Sequence, residues 1–161
     1  MTAEVRAVID RLGLRPHPEG GHYREIHRSA ATVRPADERP VRRALTTIYY
    51  LLVQGEHSRW HRVRSDEVWH FYGGHPLRLH IAPASAAAVD QVTLSGLDGD
   101  GCLVHVVPAG CWQAARPLGA YSLVGCTVAP GFEFEDFSFL ADDPAARCAI
   151  EALDPDGRAL I

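Results

Sequence analysis

The sequence contains no lysine, and all 16 positions in the combined lysine and arginine count are arginines. A Schiff base with a carbonyl substrate needs a lysine amine, so lysine-based covalent catalysis and a lysine general base are excluded. Four cysteines are present, and none of them forms a Cys-x-x-Cys pair: Cys102, Cys111, Cys126 and Cys148. This spacing excludes a zinc ribbon and a thioredoxin-type redox motif, and we expect reduced thiols that mostly fill the core.

A surplus of positive charge and a long apolar run are also missing. The formal net charge is −4, whereas nucleic-acid-binding proteins usually present a basic surface, so we expect no nucleic-acid partner. No apolar stretch approaches the roughly 20 residues needed to cross a bilayer. The N-terminal segment MTAEVRAVIDRLGL carries too many charges for a signal peptide. We therefore expect no membrane partner and a cytoplasmic location.

The remaining composition indicates one folded domain. The 161 residues, of which 47% are apolar, suffice for a single core, and no internal repeat is visible. We expect one domain over residues 1–161. A short amphipathic helix is predicted over residues 2–13, with Thr2 as N-cap and Gly13 as stop. A second short helix is predicted after Pro144.

Between these helices the sequence has the texture of strands. Turn residues separate nearly all of the strand-like segments ALTTIYYLLV, SRWHRV, EVWHFYG, LRLHIA, AVDQVTL, CLVHVVP, CWQAAR, YSLVGCTVAP and EFEDFSFL. Short strands at this spacing are typical of an all-β sandwich or barrel. Residues 29–42 are polar and contain prolines, so we expect an exposed loop there.

The phenylalanines near the end of the sequence change phase. Phe132 and Phe134 share one phase of a period-two pattern, whereas Phe137 and Phe139 share the other. Such a change needs an extra residue, which predicts a β-bulge at residues 135–136. The alternative is a strand end followed by a second strand or a loop.

Reactive side chains are densest in residues 55–75, GEHSRWHRVRSDEVWHFYGGH. The first sequence motif of the cupin superfamily reads G-x5-H-x-H-x3,4-E-x6-G. Gly55, His61, Glu67 and Gly74 stand at its spacings, and Val63 takes the place of the second histidine. This half of the pattern therefore resembles a cupin with one histidine replaced.

The second cupin motif, G-x5-P-x-G-x2-H-x3-N, is matched more weakly. Pro108 and Gly110 fit, Gly101 lies one residue further away than the motif asks, Gln113 replaces the histidine and Pro117 replaces the asparagine. The strings HPEGGHYREIHRS, TTIYYLL, HRVRSDEVWHFYGG, VPAGCWQAA and VAPGFEFEDFSF narrow the resemblance to the small family Cupin-5, over about residues 10–140.

The resemblance implies an all-β fold, a double-stranded β-helix (the cupin jelly-roll barrel), flanked here by the short N-terminal and C-terminal helices. It also implies a pocket in the barrel mouth and a homodimer, and an edge strand in need of a partner agrees with dimerisation. Fold alone does not fix the activity, because cupins include isomerases, epimerases, dioxygenases, decarboxylases and binding proteins.

The resemblance also points to a metal. An intact cupin site holds Fe, Mn, Ni or Zn with three histidines and one glutamate. The equivalent positions here are His61, Val63, Glu67 and Gln113; valine cannot ligate, and an amide oxygen is a weaker, harder donor than imidazole. His61, Glu67 and Gln113 remain as candidate ligands, so the expectation is no cofactor or a weakly held divalent metal.

Without a metal, the same residues indicate acid–base chemistry. A carboxylate beside His61 raises the imidazole pKa and fixes its tautomer, which makes Glu67 its orienting partner. Metal-free cupin epimerases of the RmlC type pair a histidine base with a tyrosine acid. Tyr72 is the candidate for that acid, and Tyr23, Tyr49 and Tyr121 are alternatives.

Further residues are candidates for ligand binding: Arg24, Tyr49, His70, Trp112, Gln113, Tyr121 and Asp136. Trp60 and Trp69 are expected in the core. The leading hypothesis is an isomerase, epimerase or lyase that acts on a small polar metabolite, such as a sugar derivative. The alternatives are a non-catalytic ligand-binding cupin and a metal-dependent cupin enzyme with a weakened site.

Overall fold

The computed structural model describes residues 1–161 and contains two α-helices, three short 3-10 helices and thirteen strands. The α-helices are α1 (Ala3–Leu12) and α2 (Pro144–Leu153), and the 3-10 helices span Phe134–Asp136, Leu140–Asp142 and Gly157–Leu160. The strands are β1 (Arg15–Pro16), β2 (His22–Arg28), β3 (Thr32–Val33), β4 (Arg42–Arg43), β5 (Thr46–Val53), β6 (Ser58–Val63), β7 (Asp66–Gly74), β8 (Leu77–Ala82), β9 (Asp90–Leu94), β10 (Val104–Val107), β11 (Trp112–Pro117), β12 (Tyr121–Ala129) and β13 (Phe137–Phe139).

Two antiparallel sheets face each other around a shared core. One has the strand order β1-β2-β5-β12-β7-β10 and the other the order β13-β6-β11-β8-β9, while β3 and β4 form a separate pair. The buried residues between the sheets include Tyr50, Leu52, Trp69, Leu79 and Val124. This arrangement confirms the predicted all-β double-stranded β-helix with a short helix at each end. Neither α-helix is long and apolar enough to cross a membrane.

Helix α1 covers part of the outer face of the six-stranded sheet. The hydroxyl of Thr2 accepts a hydrogen bond from the Val5 amide, and Gly13 ends the helix in the left-handed conformation, as predicted. Val5 packs against Leu51 and Val53 of β5. Strand β5 is therefore buried on both faces, which explains its almost unbroken apolar sequence.

Helix α2 and the last 3-10 helix cover the outer face of the five-stranded sheet. Trp60 and Trp112 pack there against Leu140 and Ile150, in a second core separate from the one between the sheets. The Trp60 indole donates to the carbonyl of Gly157, which ties the C-terminal segment to β6. Both sheets therefore bury an outer as well as an inner face.

The predicted β-bulge near residue 135 is wrong. The chain leaves β12 and forms a 3-10 turn at Phe134–Asp136 before it enters β13. The turn absorbs the change of phase, so that Phe137 pairs in register with Val63 and Phe139 with His61. The alternative of a break followed by a second strand describes this region correctly.

The segment 29–42 is only partly the exposed loop that its composition predicts. Thr32–Val33 pairs with Arg42–Arg43 as a two-stranded ribbon. Arg39 and Arg42 are buried, and both donate to the carboxylate of Asp136. The ion pairs satisfy the buried charges, which composition alone does not reveal.

Candidate functional site

A cavity of about 240 Å³ opens among inward-facing side chains of both sheets. His61 and Val63 of β6, Glu67 of β7 and Cys126 of β12 line it from the barrel strands. Glu19, from the loop between β1 and β2, lines it as well. The structure therefore brings together His61 and Glu67, as the sequence motif predicts, and adds a second carboxyl group.

His61 is held in one neutral tautomer. Its Nδ1 lies 2.7 Å from the carbonyl oxygen of Arg59, and because a carbonyl can only accept, Nδ1 carries the proton. Its Nε2 lies 3.1 Å from the side-chain nitrogen of Gln113, which can only donate. The imidazole, which is 2% exposed, therefore presents a lone pair at Nε2.

Gln113 is fully buried behind the cavity and joins three side chains. Its Oε1 accepts from the Trp69 indole at 3.0 Å, and its Nε2 donates to Glu67 as well as to His61. An indole N–H can only donate, so it fixes which end of the amide carries the oxygen. Gln113 therefore faces the His61–Glu67 pair with its NH₂ group.

Glu19 is the residue that the motif analysis missed. Its Oε2 lies 3.3 Å from His61 Nε2, and its side chain is buried. The turn that delivers it needs two glycines, because Gly20 and Gly21 have φ of +113° and +67° and a side chain at either position would collide with backbone. The string PEGG at residues 18–21 was the available signal.

Burial shifts the protonation equilibria of this centre toward neutral groups. Loss of solvation raises the pKa of Glu19 and of Glu67, and the proximity of the two carboxyls raises that of Glu67 further. Loss of solvation also lowers the pKa of His61, which the charge of Glu67 partly offsets. A neutral His61 agrees with the hydrogen bond that Gln113 donates to Nε2.

Aromatic rings and arginines surround the cavity mouth. Phe132, Phe134 and Phe137 line one side, and Phe137 stacks on the His61 ring at 5.1 Å between centroids. Arg28 is paired with Glu25 and Glu133. Arg15 donates to the Tyr23 hydroxyl and has no carboxylate partner. The entrance therefore combines an apolar wall with one arginine whose positive charge is not neutralised.

Three of the predicted site residues lie on the outer face of the six-stranded sheet. Tyr72 is 51% exposed, lies over Gly125 and contacts the rings of Tyr49 and His70. None of these side chains lines the cavity. The expectation that Tyr72 shares a pocket with His61 is not met, because alternation along β7 directs Glu67 inward and Tyr72 outward.

Arg24 and Tyr121 are also placed outside the cavity, against α1. Arg24 donates to the carbonyl of Leu12, and the Tyr121 hydroxyl donates to Glu4. Both side chains therefore attach the N-terminal helix to the barrel.

Trp112 and Asp136 are buried elsewhere. Trp112 alternates with Gln113 on β11 and so packs on the outer face of the five-stranded sheet, under the guanidinium of Arg62. Asp136 lies in the ion-pair cluster with Arg39 and Arg42, whose hydrogen bonds lower its pKa. The structure thus brings Gln113 to the His61–Glu67 pair and separates Trp112 and Asp136 from it.

The residues at the cupin metal positions do not fit a metal centre. Val63 supplies no donor atom, and the Gln113 amide turns its NH₂ group, which repels a cation, toward His61 and Glu67. No group of three histidine, cysteine, aspartate or glutamate side chains has metal-binding geometry. Gln113 as a metal ligand would require its oxygen to leave the Trp69 indole.

Comparison with known proteins assigns the family. The sequence matches the Cupin_5 family model, described as Cupin superfamily (DUF985), over residues 6–140. The chain belongs to the Cupin_5 family. This confirms the predicted resemblance.

Two solved structures resemble this cupin over nearly its whole length. A hypothetical protein from Leishmania major is 33% identical, with 100% of this chain and 97% of that chain covered and a TM-score of 0.81. A protein from Shewanella oneidensis is 30% identical, with 99% and 97% covered and a TM-score of 0.83. None of the curated protein sequences matches this cupin.

More distant cupins share the fold alone. Oxalate decarboxylase from Bacillus subtilis is 18% identical with a TM-score of 0.57, over 79% of this chain and 30% of that chain. KdgF from Halomonas sp. is 14% identical with a TM-score of 0.53, over 78% of this chain and 94% of that chain. Function must therefore be argued from the site itself.

Proposed function

We propose that this cupin catalyses proton transfer on a small polar metabolite, as an isomerase, an epimerase or a lyase. The supporting observation is the pair formed by His61 and Glu19. An imidazole Nε2 without a proton lies in a cavity, 3.3 Å from a buried carboxyl group. This pair supplies a base and an acid at one point.

The reaction begins at a carbon atom next to a carbonyl group. The Nε2 lone pair of His61 takes the proton from that carbon, the electrons of the C–H bond form a C=C bond to the carbonyl carbon, and the π electrons of the C=O bond move to its oxygen. That oxygen accepts the proton of Glu19, which gives a neutral enol and leaves an imidazolium beside a carboxylate. Return of a proton to the adjacent carbon isomerises the substrate, return on the opposite face epimerises it, and loss of a β-substituent eliminates it.

The electrostatics of the centre suit both halves of this step. Burial lowers the pKa of the base and raises the pKa of the acid, so the two values approach each other. Proton transfer is most efficient when these values are close and near the working pH. The Nδ1–H bond to the Arg59 carbonyl keeps the imidazole oriented through the cycle.

Glu19 is a better acid in this proposal than a tyrosine. Of the four tyrosines considered from the sequence, only Tyr23 lines the cavity. Its hydroxyl is bound by Arg15 at the mouth, whereas Glu19 contacts His61 directly. Glu67 acts through the Gln113 amide as a positioning residue for the imidazole.

The cavity favours a small substrate. Its volume of about 240 Å³ is below the roughly 300–1,000 Å³ typical of pockets for drug-sized ligands. The phenylalanine rings suit the C–H face of a sugar or a short carbon chain, and Arg15 suits a carboxylate at the entrance. A monosaccharide or a sugar acid meets these requirements.

Deuterium exchange tests the proposal without knowledge of the product. A panel of aldoses, ketoses, sugar acids and short keto acids is incubated with the protein in D₂O, and proton NMR follows the loss of each C–H signal next to a carbonyl. We expect exchange at one such position in at least one compound. H61Q and E19Q should each abolish it.

The control is H70Q, which removes a histidine that the sequence singled out and the structure places outside the cavity. Exchange in H70Q should equal that of the unaltered protein. A panel compound that binds in equilibrium dialysis but shows no exchange would contradict catalysis and support a non-catalytic binding cupin.

We also propose that the protein forms a homodimer. Strand β10 is an edge of the six-stranded sheet, and Val104 and Val106 on its outer face are about half exposed. A strand edge with apolar side chains calls for a cover. Light scattering should give twice the 17.6 kDa chain mass, and a monomer at all concentrations would refute the proposal.

A further inference from the structure

A chain of two hydrogen bonds reaches the cavity histidine, His61, from the opposite sheet. It begins at Trp69, a residue that the sequence predicts to lie in the core. Trp69 belongs to β7, whereas Gln113 and His61 belong to neighbouring strands of the other sheet, where they are paired in register. The bond from the Trp69 indole to Gln113 Oε1 therefore crosses the core and ends one residue from the cavity.

We propose that Trp69 is a positioning residue, whose indole N–H fixes the Gln113 amide with its NH₂ group toward the cavity and thereby holds His61 as the Nδ1–H tautomer with an unprotonated Nε2. This proposal concerns the protonation state of the His61 imidazole itself. It rests on the proposed function only for the catalytic consequence of that state.

The two orientations of the amide are not equivalent. In the observed one, Oε1 meets an indole donor, and Nε2 meets two acceptors, a Glu67 carboxyl oxygen and His61 Nε2. In the reversed one, the NH₂ group would face the indole N–H and the oxygen would face the Glu67 oxygen. One orientation satisfies every contact, and the other opposes donor to donor and acceptor to acceptor.

Trp69 is needed for this selection because Gln113 is fully buried. No other hydrogen bond reaches its Oε1, and its side chain has no exposed surface at which bulk water could take the place of the indole. Loss of the indole leaves the oxygen unpaired in the core, which weakens the preference for the observed orientation. If the Gln113 oxygen turns toward His61, it favours a proton on Nε2. The Nε2 lone pair is then no longer available as a base.

The test is nitrogen NMR on protein labelled with ¹⁵N-histidine, with the His61 signals assigned by their absence in H61Q. In the unaltered protein we expect a protonated Nδ1 and an unprotonated Nε2 near neutral pH. In W69F, the ratio of protonated to neutral imidazole at a given pH should rise about tenfold, which is a displacement of one pH unit in the titration.

W60F is the matched control. Trp60 is equally buried and its indole also donates a hydrogen bond, but in the core under α2. A merely structural effect of losing a buried indole should appear in both variants, whereas the His61 signals should change in W69F alone. Unchanged His61 signals in W69F, or equal changes in the two variants, would overturn the proposal.

If W69F does not fold, Q113E provides the same readout. The indole keeps an acceptor there, while the second carboxylate oxygen faces His61 in place of an N–H donor. The protonated fraction of His61 should then rise more than tenfold, and an unchanged titration would overturn the proposal. Neither measurement uses a substrate, so an absence of deuterium exchange refutes the proposed function without affecting this result.

Discussion

His61 and His80 are two buried histidines on opposite faces of the five-stranded sheet, and each has a carboxyl group beside it. His61 points inward, with Glu19 at 3.3 Å from its Nε2 and a cavity in front of it. His80 points outward, with Asp154 at 2.6 Å from its Nδ1, and it is completely covered by the C-terminal segment. Loss of solvation lowers the pKa of both.

The difference between the two lies in access rather than in pairing. His80 is paired with Asp154, the residue that ends α2. The Asp154 carboxylate also accepts a hydrogen bond from the side-chain amide of Gln91. The free Nε2 of His80 is buried without a partner and does not line the cavity that adjoins His61. A histidine–carboxylate pair therefore stabilises the C-terminal segment on one face of the sheet, whereas on the other face, under the proposed function, it supplies a base and an acid, because the cavity adjoins His61.

The largest expected effect separates the two histidines by activity. H61Q should lower kcat/KM about 10²–10⁴-fold, the usual contribution of a general acid or base, on a substrate found by deuterium exchange. It should leave the midpoint of urea unfolding nearly unchanged. H80Q should do the reverse, with a lower midpoint and an unchanged kcat/KM. Loss of activity in a folded H80Q protein would remove the distinction.

The next effect concerns stability. D154A leaves the His80 Nδ1–H group without its acceptor in a fully buried position, and an unsatisfied buried donor costs about 1–3 kcal/mol. We expect a loss of this size in the free energy of unfolding measured in urea.

The neighbouring D156A is its control, because Asp156 is exposed and makes no side-chain cap bond. Its free energy of unfolding should stay within about 0.5 kcal/mol of that of the unaltered protein. Equal losses in the two variants would mean that the His80 pair does not hold the C-terminal segment.

The sequence predicts the barrel well because the barrel depends on local patterns. Most of the strand segments, the Thr2 cap and the Gly13 stop follow from period, turn residues and capping chemistry. The His61–Glu67 pair follows from a motif with fixed spacing. These features need no knowledge of distant contacts.

The rest of the site depends on contacts between segments far apart in sequence. Glu19 reaches His61 only because a glycine turn folds back onto β6. The backbone carbonyl of Glu19 accepts a hydrogen bond there from the Arg59 amide. The exclusion of Tyr72 is an exception, because alternation along β7, a local pattern, already places it on the face opposite Glu67. The orientation of the Gln113 amide is set by a tryptophan on the opposite sheet, and no spacing rule within one strand contains that information.

The smallest expected effect is the pH dependence that Glu67 confers on stability. Its pKa in the folded protein is raised, chiefly by burial, so its contribution to stability is fully present below the unfolded value near 4.5 and is lost as the pH rises through the folded value. E67Q carries no such group. The difference in unfolding free energy, E67Q minus the unaltered protein, should therefore grow with pH above about 4.5 and then level off.

Urea unfolding at a series of pH values between 4 and 9 measures this difference. E38Q, at an exposed position, is the control and should show a nearly constant difference. The lowered pKa of His61 makes a contribution that is present above about 6.5 and lost as the pH falls. In E67Q the Glu67 charge no longer offsets the burial of His61, so this contribution is larger there and also makes the difference grow with pH. A difference for E67Q that falls with pH would mean that Glu67 is stabilised as a carboxylate, and the Gln113 amide would then join His61 to a charged group rather than to a neutral carboxyl.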